Sequence, residues 1–218
     1  MVRPKRLVIL PPKRCEVLIW DESGSGVLKE SVLPTNLLDS KIQTLSVRGE
    51  ELNTFVLLQS FLKHGLRALF GSERLLFYSL AYIRVCRPRL VLTFIDNVPT
   101  FWRLRRNSNQ EFRTAFVQNG RRFDVGDVFQ GLVASDDYFV DHHFVFNEKM
   151  GELFSNFVGG QTHVIGSLKS NALQRKTIPN QIPTIVFIRN NAASAGALIS
   201  IACDSIYMRP GATIGAAS

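Results

Sequence analysis

Two regions of the chain bring together residue types that could do chemistry. The first is NNAASAGALISIACD, from Asn190 to Asp204. A catalytic serine needs exposure on a tight strand-to-helix turn, with small neighbours so that a substrate backbone can approach. Ser194 meets that need, with alanines on both sides, Gly196 two residues on and a helix expected just behind it. The start of that helix would aim positive dipole at a developing oxyanion. The same small residues equally serve plain close packing. The second region is made of three clusters, VLTFIDNVPTFWRL (Val91 to Leu104), FVQNGRR (Phe116 to Arg122) and HVIGSLKSN (His163 to Asn171). Each reads as a strand running into a polar or glycine turn, where an open parallel sheet presents its ligand site. Asp96, Asn97, Gln118, Asn119 and Arg121 then share one edge, and their amides and carboxylate suit the hydroxyls of a sugar. The alternative is that they only form turns.

Other candidates point elsewhere. His142 and His143 stand between Asp141 and an apolar Phe144 to Phe146. With no second ligand cluster in view they read as structural or surface histidines, and no metal is expected. Asp136 and Asp137 are adjacent and would point opposite ways on an extended segment, so they read as loop rather than as an acid/base pair. Phe101 and Trp102 could stack on a ring, but core packing is the simpler assignment. No motif asks for a cofactor.

These residues need a scaffold, and the hydrophobic pattern supplies an α/β one. Strands are expected at Glu16 to Trp20, Gln43 to Val47, Leu90 to Ile95, Thr114 to Gln118, Phe139 to Val145 and His163 to Ile165. Leu90 to Ile95 is nearly continuous in apolar and β-branched residues, which suits a parallel strand covered on both faces. Helices are expected over Leu52 to Phe70, where apolar residues recur at helical spacing, over Arg74 to Arg87, stopped by Pro88, and over the basic Phe101 to Arg106. Strands alternating with helices predict a Rossmann-like parallel sheet with right-handed crossovers. Composition changes near Asn171, in a polar stretch punctuated by Pro179 and Pro183. A domain over 1–176 followed by a second segment over 177–218 is therefore expected. The second segment should run strand (Thr184 to Ile188), small-residue turn, helix (Ala197 to Ala202) and strand (Ser205 to Met208).

Composition narrows the partners. The 218 residues are 45% hydrophobic and 20% charged, as in a globular protein. The formal net charge is +8, but the basic residues come singly or in pairs, without a basic run or an aromatic-basic stripe. Nucleic acid is therefore not the expected partner, and anionic substrates or phosphate-bearing sugars fit the charge better. Three cysteines, Cys15, Cys86 and Cys203, without a CxxC pair, argue for a reducing compartment. Two prolines cut short the apolar start of MVRPKRLVILPPKR, and no stretch offers the roughly 20 apolar residues of a membrane span, so a cytoplasmic location is expected.

Two resemblances sharpen these readings. PTIVFIRNNAASAGALISIACDSIYMRPGATIGAAS, residues 183–218, is similar to the core of NfeD-type membrane-bound serine proteases, relatives of ClpP. The resemblance implies a ClpP/crotonase-like fragment, with Ser194 as nucleophile and a peptide substrate. It also implies a Ser-Lys dyad whose lysine lies downstream and an upstream Pro-Gly-Gly turn. No lysine follows Ser194 and the turn is absent, so the segment as it stands is expected to be inactive. The three clusters named first, with VLIWDESGSGVL (Val17 to Leu28) and LSVRGEELN (Leu45 to Asn53), resemble a bacterial surface-carbohydrate biosynthesis family of glycosyltransferase-like, GT-B-type architecture. That likeness runs to about Arg175. It implies the acceptor-holding half of a two-domain enzyme, with a sugar acceptor or nucleotide-sugar as partner. The chain thus reads as a composite whose two active sites are both incomplete.

Overall fold

The computed structural model describes residues 5–33, 41–48, 51–123, 127–168, 185–193, 205–210 and 212–215. The chain divides into two compact units, Met1–Leu173 and Gln174–Ser218.

In the first unit, strands β1 (Arg6–Val8), β2 (Val17–Trp20), β3 (Ile42–Leu45), β4 (Glu51–Asn53), β5 (Leu90–Thr93), β6 (Arg113–Val117), β7 (Phe139–Val145) and β8 (Gly159–Val164) alternate with helices. The helices are α1 (Ser25–Ser31), α2 (Thr54–His64), α3 (Arg67–Phe70), α4 (Arg74–Cys86), α5 (Pro99–Trp102) and α6 (Glu148–Ser155). Six strands form one sheet in the order β3-β2-β5-β6-β7-β8, and every neighbouring pair is parallel. β1 pairs separately with β4. The Rossmann-like α/β expectation holds.

A parallel sheet has to bury both faces, and side-chain alternation divides the work. Leu18, Trp20, Val91 and Phe116 point to one face, where α2, α4, α5 and α6 pack with Val56, Ile83, Phe101, Trp102 and Phe154. This face is rich in rings. Trp102 lies against Phe129, Tyr138 and Phe154, and Trp20 meets Phe101 at 5.4 Å while its indole N–H donates to Ser79. Val17, Ile19, Leu92, Ala115 and Val117 point to the other face, which α1 covers through Leu28. That cover is thinner. Over β7 and β8 the second face carries the half-buried His142, Phe144 and His163, with His142 Nδ1 3.2 Å from His163 Nε2.

Several expected boundaries move for identifiable reasons. The helix expected over Leu52 to Phe70 breaks at Gly65, whose φ of +61° ends α2, and its first residues pair as β4 instead. The basic helix expected over Phe101 to Arg106 starts at Pro99, a favoured first helical residue, and stops at Trp102, so Arg105 and Arg106 lie in turns. α4 ends as expected, with Arg87 in the left-handed region and Pro88 next. α6 was not legible as a helix. It is capped by the Asn147 side chain, which accepts from Met150 N–H.

The end of the sheet at β7 and β8 depends on one glycine. Gly160 has a φ of +140°, and a Cβ there would sit 1.7 Å from the Val140 carbonyl oxygen and 2.8 Å from His143 Nε2. Gly160→Ala is therefore expected to cost at least about 3 kcal/mol in urea unfolding. His143 itself is fully buried between Phe116 and Phe154, and burial pushes its pKa down to about 4. A folded value below the ordinary ~6.5 means that the unfolded chain binds more protons across this interval. Stability should then fall as pH drops from ~6.5 towards 4, by up to about 1.4 kcal/mol per unit. His143→Phe should flatten that dependence, read as the difference in urea midpoints between the two proteins across the interval.

Candidate functional site

The strand order sets where a ligand can enter. β2 is followed in the chain by its neighbour β3 on one side and β5 by its neighbour β6 on the other, so the loops leaving β2 and β5 diverge and open a crevice outside their carboxyl ends. The loop after β2 is a built turn. Asp21 has a φ of +79° and is buried, its carboxylate accepting from Ser23 N–H at 2.9 Å and from Arg48 Nε at 2.8 Å. Gly24 follows with a φ of +75°, and a Cβ there would meet the Phe94 ring at 2.4 Å, so the loops after β2 and β5 touch where only glycine fits. A left-handed non-glycine residue of this kind is held by its surroundings and is a frequent mark of a functional loop. Glu22 accepts from Ser46 Oγ, which adds a second link to the loop after β3. None of Asp21, Arg48 or Ser46 was singled out from the sequence. The signal was there in Asp21-Glu22-Ser23-Gly24, directly after an apolar strand.

The residues expected at this edge divide into buried supports and more exposed groups. Asp96 lies just beyond β5 and is fully buried. Arg122 Nε donates to its Oδ2 at 2.7 Å, Arg122 Nη2 reaches Oδ1, and the Asn119 N–H donates to Oδ1 at 3.3 Å. Burial pushes the Asp96 carboxyl up, and the Arg122 guanidinium works against that push. Arg122, not Arg121, is thus the partner of Asp96, and Arg122 also donates to Asn119 Oδ1 and lies 3.7 Å from Asp127. Gln118 is buried as well. Its amide donates to the Gly120 carbonyl and its Oε1 accepts from Phe146 N–H, tying the loops after β6 and β7 together. Asp96 and Gln118 hold the edge and have little left to offer a ligand. Asn97 and Asn119 are half-buried, and Arg121 is exposed beside the Phe123 ring. Asn97, Arg121, the Asn119 NH2 group and the outer part of the Arg48 guanidinium, whose Nε is held by Asp21, are left to face solvent. Such a set can bind hydroxyls and phosphate oxygens.

The opposite edge holds an open cavity. Arg105, Arg106, Ser108, Arg113, Phe139 and Asp141 line about 340 Å³ at the amino ends of β6 and β7. Asp141 lies buried at a register shift between β7 and β8, and its carboxylate accepts from Thr114 N–H, Thr114 Oγ1 and Arg113 Nη1. Burial opposes ionisation of Asp141, but these bonds outweigh it and hold the carboxyl below its usual range.

Among the described residues, no group of three or more His, Cys, Asp or Glu is placed to hold a metal ion. Cys15 and Cys86 are buried free thiols, and the Cys15 N–H donates to the Cys86 carbonyl oxygen at 3.1 Å. Ser194 and Gly196 lie outside the described residues. The second unit is described through β9 (Ile185–Ile188), β10 (Asn191–Ala193), β11 (Ser205–Met208) and β12 (Thr213–Gly215). There β9 pairs in parallel with β11, and β10 in parallel with β12.

Residues 115–197 match a protein family described as "putative O-antigen biosynthesis protein". The match runs from within β6 to beyond β10, less than half of the chain, and supports surface polysaccharide biosynthesis as the broad process. No curated protein and no solved structure matches the chain.

The buried pair at the edge makes a direct prediction. Asp96→Asn leaves the Arg122 cation under-compensated and should cost about 3–5 kcal/mol in chemical unfolding. Replacing both partners by leucine should recover most of that loss, because the uncompensated charge goes with them.

Proposed function

We propose that this chain serves surface polysaccharide biosynthesis by holding a sugar-bearing ligand at the carboxyl edge of its Rossmann-like sheet. The observation that carries the reading is the divergence of crossovers at β2 and β5, with Asn97, Asn119, Arg121 and Arg48 around it. The family match supports the same process. In finer terms, the first unit acts as the acceptor-holding half of a GT-B-type glycosyltransferase. Asn97 and Asn119 bind sugar hydroxyls, while Arg121 and Arg48 attract a phosphate where the ligand carries one. Asp96 and Gln118 position these groups by fixing the loops, and transfer itself belongs to a donor-holding half.

Saturation-transfer NMR with a panel of disaccharides and nucleotide-sugars tests the reading. Asn97→Ala and Asn119→Ala should each weaken the ligand that binds by about two- to tenfold, the value of one hydrogen bond. Arg121→Ala should weaken nucleotide-sugars more than neutral sugars. If no sugar binds saturably, or if the variants bind as well as the parent, the edge is not the site.

A second reading rests on the second unit. Strand pairs β9–β11 and β10–β12 are parallel, and β10 ends one residue before Ser194, as a protease-type strand-to-turn nucleophile would require. A peptidase reading requires labelling by a fluorophosphonate probe that Ser194→Ala abolishes. An unlabelled chain removes it.

A further inference from the structure

α2 is apolar nearly all round, which normally marks a helix covered on every side. Val56 and Ser60 face the core, yet Leu58 and Leu62 stand on the opposite side, and Leu62 is 68% exposed. The ridge continues past the break at Gly65 through Leu66 (66% exposed) and Phe70 (74%). A second exposed run borders the start of α2. β1 lies parallel to β4, which leads directly into α2, and Thr54 Oγ1 and Asn53 Nδ2 donate to the Val8 and Leu10 carbonyls. Leu7, Ile9 and Leu10 of that run are all exposed. A patch of this extent marks an interaction surface rather than scattered surface leucines.

Charge identifies the partner. Residues 52–72 contain Lys63 and Arg67 and no Asp or Glu. Residues 5–15 contain Lys5, Arg6, Lys13 and Arg14, again with no acid. Among the described residues, Arg6 of this set pairs with Glu51 at 3.6 Å. A second copy of the chain would bring like charge against like charge. An anionic bilayer offers an apolar layer for the leucines and phosphates for the cations, whose long stems let them lie along the boundary. At 11 residues α2 is far too short to span, and among the described residues no helix is long and apolar enough to cross a membrane.

We infer that the α2–α3 ridge and the adjoining strand β1 dock the first unit onto an anionic lipid surface, lying in the interface plane. The docking face is independent of the carboxyl-edge reading, because none of its residues belongs to that edge. Vesicle co-sedimentation of the full chain tests it, with phosphatidylcholine alone compared with phosphatidylcholine mixed with phosphatidylglycerol. Binding is expected to the mixed vesicles and to weaken with added salt. Lys63→Gln and Arg67→Gln should each reduce it by about fivefold. Leu62→Gln and Leu66→Gln should each reduce it by about tenfold or more. These side chains are exposed, so circular dichroism should show the variants folded. Three outcomes overturn the inference: no sedimentation with the mixed vesicles, equal sedimentation with phosphatidylcholine alone, or a dimer in analytical ultracentrifugation that Leu62→Gln dissolves.

Discussion

Everything in the first unit follows from running six strands in the same direction. Parallel neighbours require each strand to be followed by a crossover, so all the carboxyl ends collect on one edge and all the amino ends on the other. The two faces must then be covered by the crossovers themselves. Here the cover is unequal: an aromatic layer under α2, α4, α5 and α6 on one face, and chiefly α1 on the other. The edges differ as well. At the carboxyl edge, buried polar groups such as Asp21, Asp96 and Gln118 bind loops to one another, leaving a smaller set of amides and cations outside. Order at that edge comes from side chains standing in for the ladder hydrogen bonds that end there. Asp141 does the same at the amino edge, where its carboxylate accepts from the Thr114 N–H of β6.

The sheet was largely legible in the sequence and the helices less so, for a physical reason. Central parallel strands are buried on both faces, so β2, β5 and β6 stand out as apolar runs. α6 has a glycine in its middle and polar residues on its outer side, so only its Asn147 cap announces it. α2 read too long because the apolar spacing continues beyond Gly65, while the backbone turns there. β1 and β4 are three residues each, too short to show a period.

At the candidate site the sequence located the edge but not the roles within it. In the sequence Asp96 and Gln118 read as groups for a ligand, because polar residues after a strand look available. Their burial, and the partners that occupy them, depend on contacts between loops far apart in the chain. The choice between Arg121 and Arg122 shows the difficulty best. The two are adjacent and chemically identical, yet one closes on Asp96 while the other lies in solvent beside Phe123. No pattern in Gln118 to Arg122 tells which way the loop rotates. Ser194 belongs to a different case, since its motif is local and its surroundings lie outside the described residues.

The central position of β2 has a consequence for how the molecule forms. β2 is the second strand to be made, but its place is between β3 and β5: Val17 meets Ile42 on one side soon, and its neighbour on the other side only at Leu90. The whole intervening stretch, with α2 and α4 in it, must be folded back before the middle of the sheet exists. Closing so long a loop costs entropy that the new contacts repay late, which places the chain among the slower folders. On the ribosome, the β5-facing edge of the apolar β2 strand waits unpaired until β5 has emerged. During that interval the emerging chain exposes a strand edge that later disappears from view.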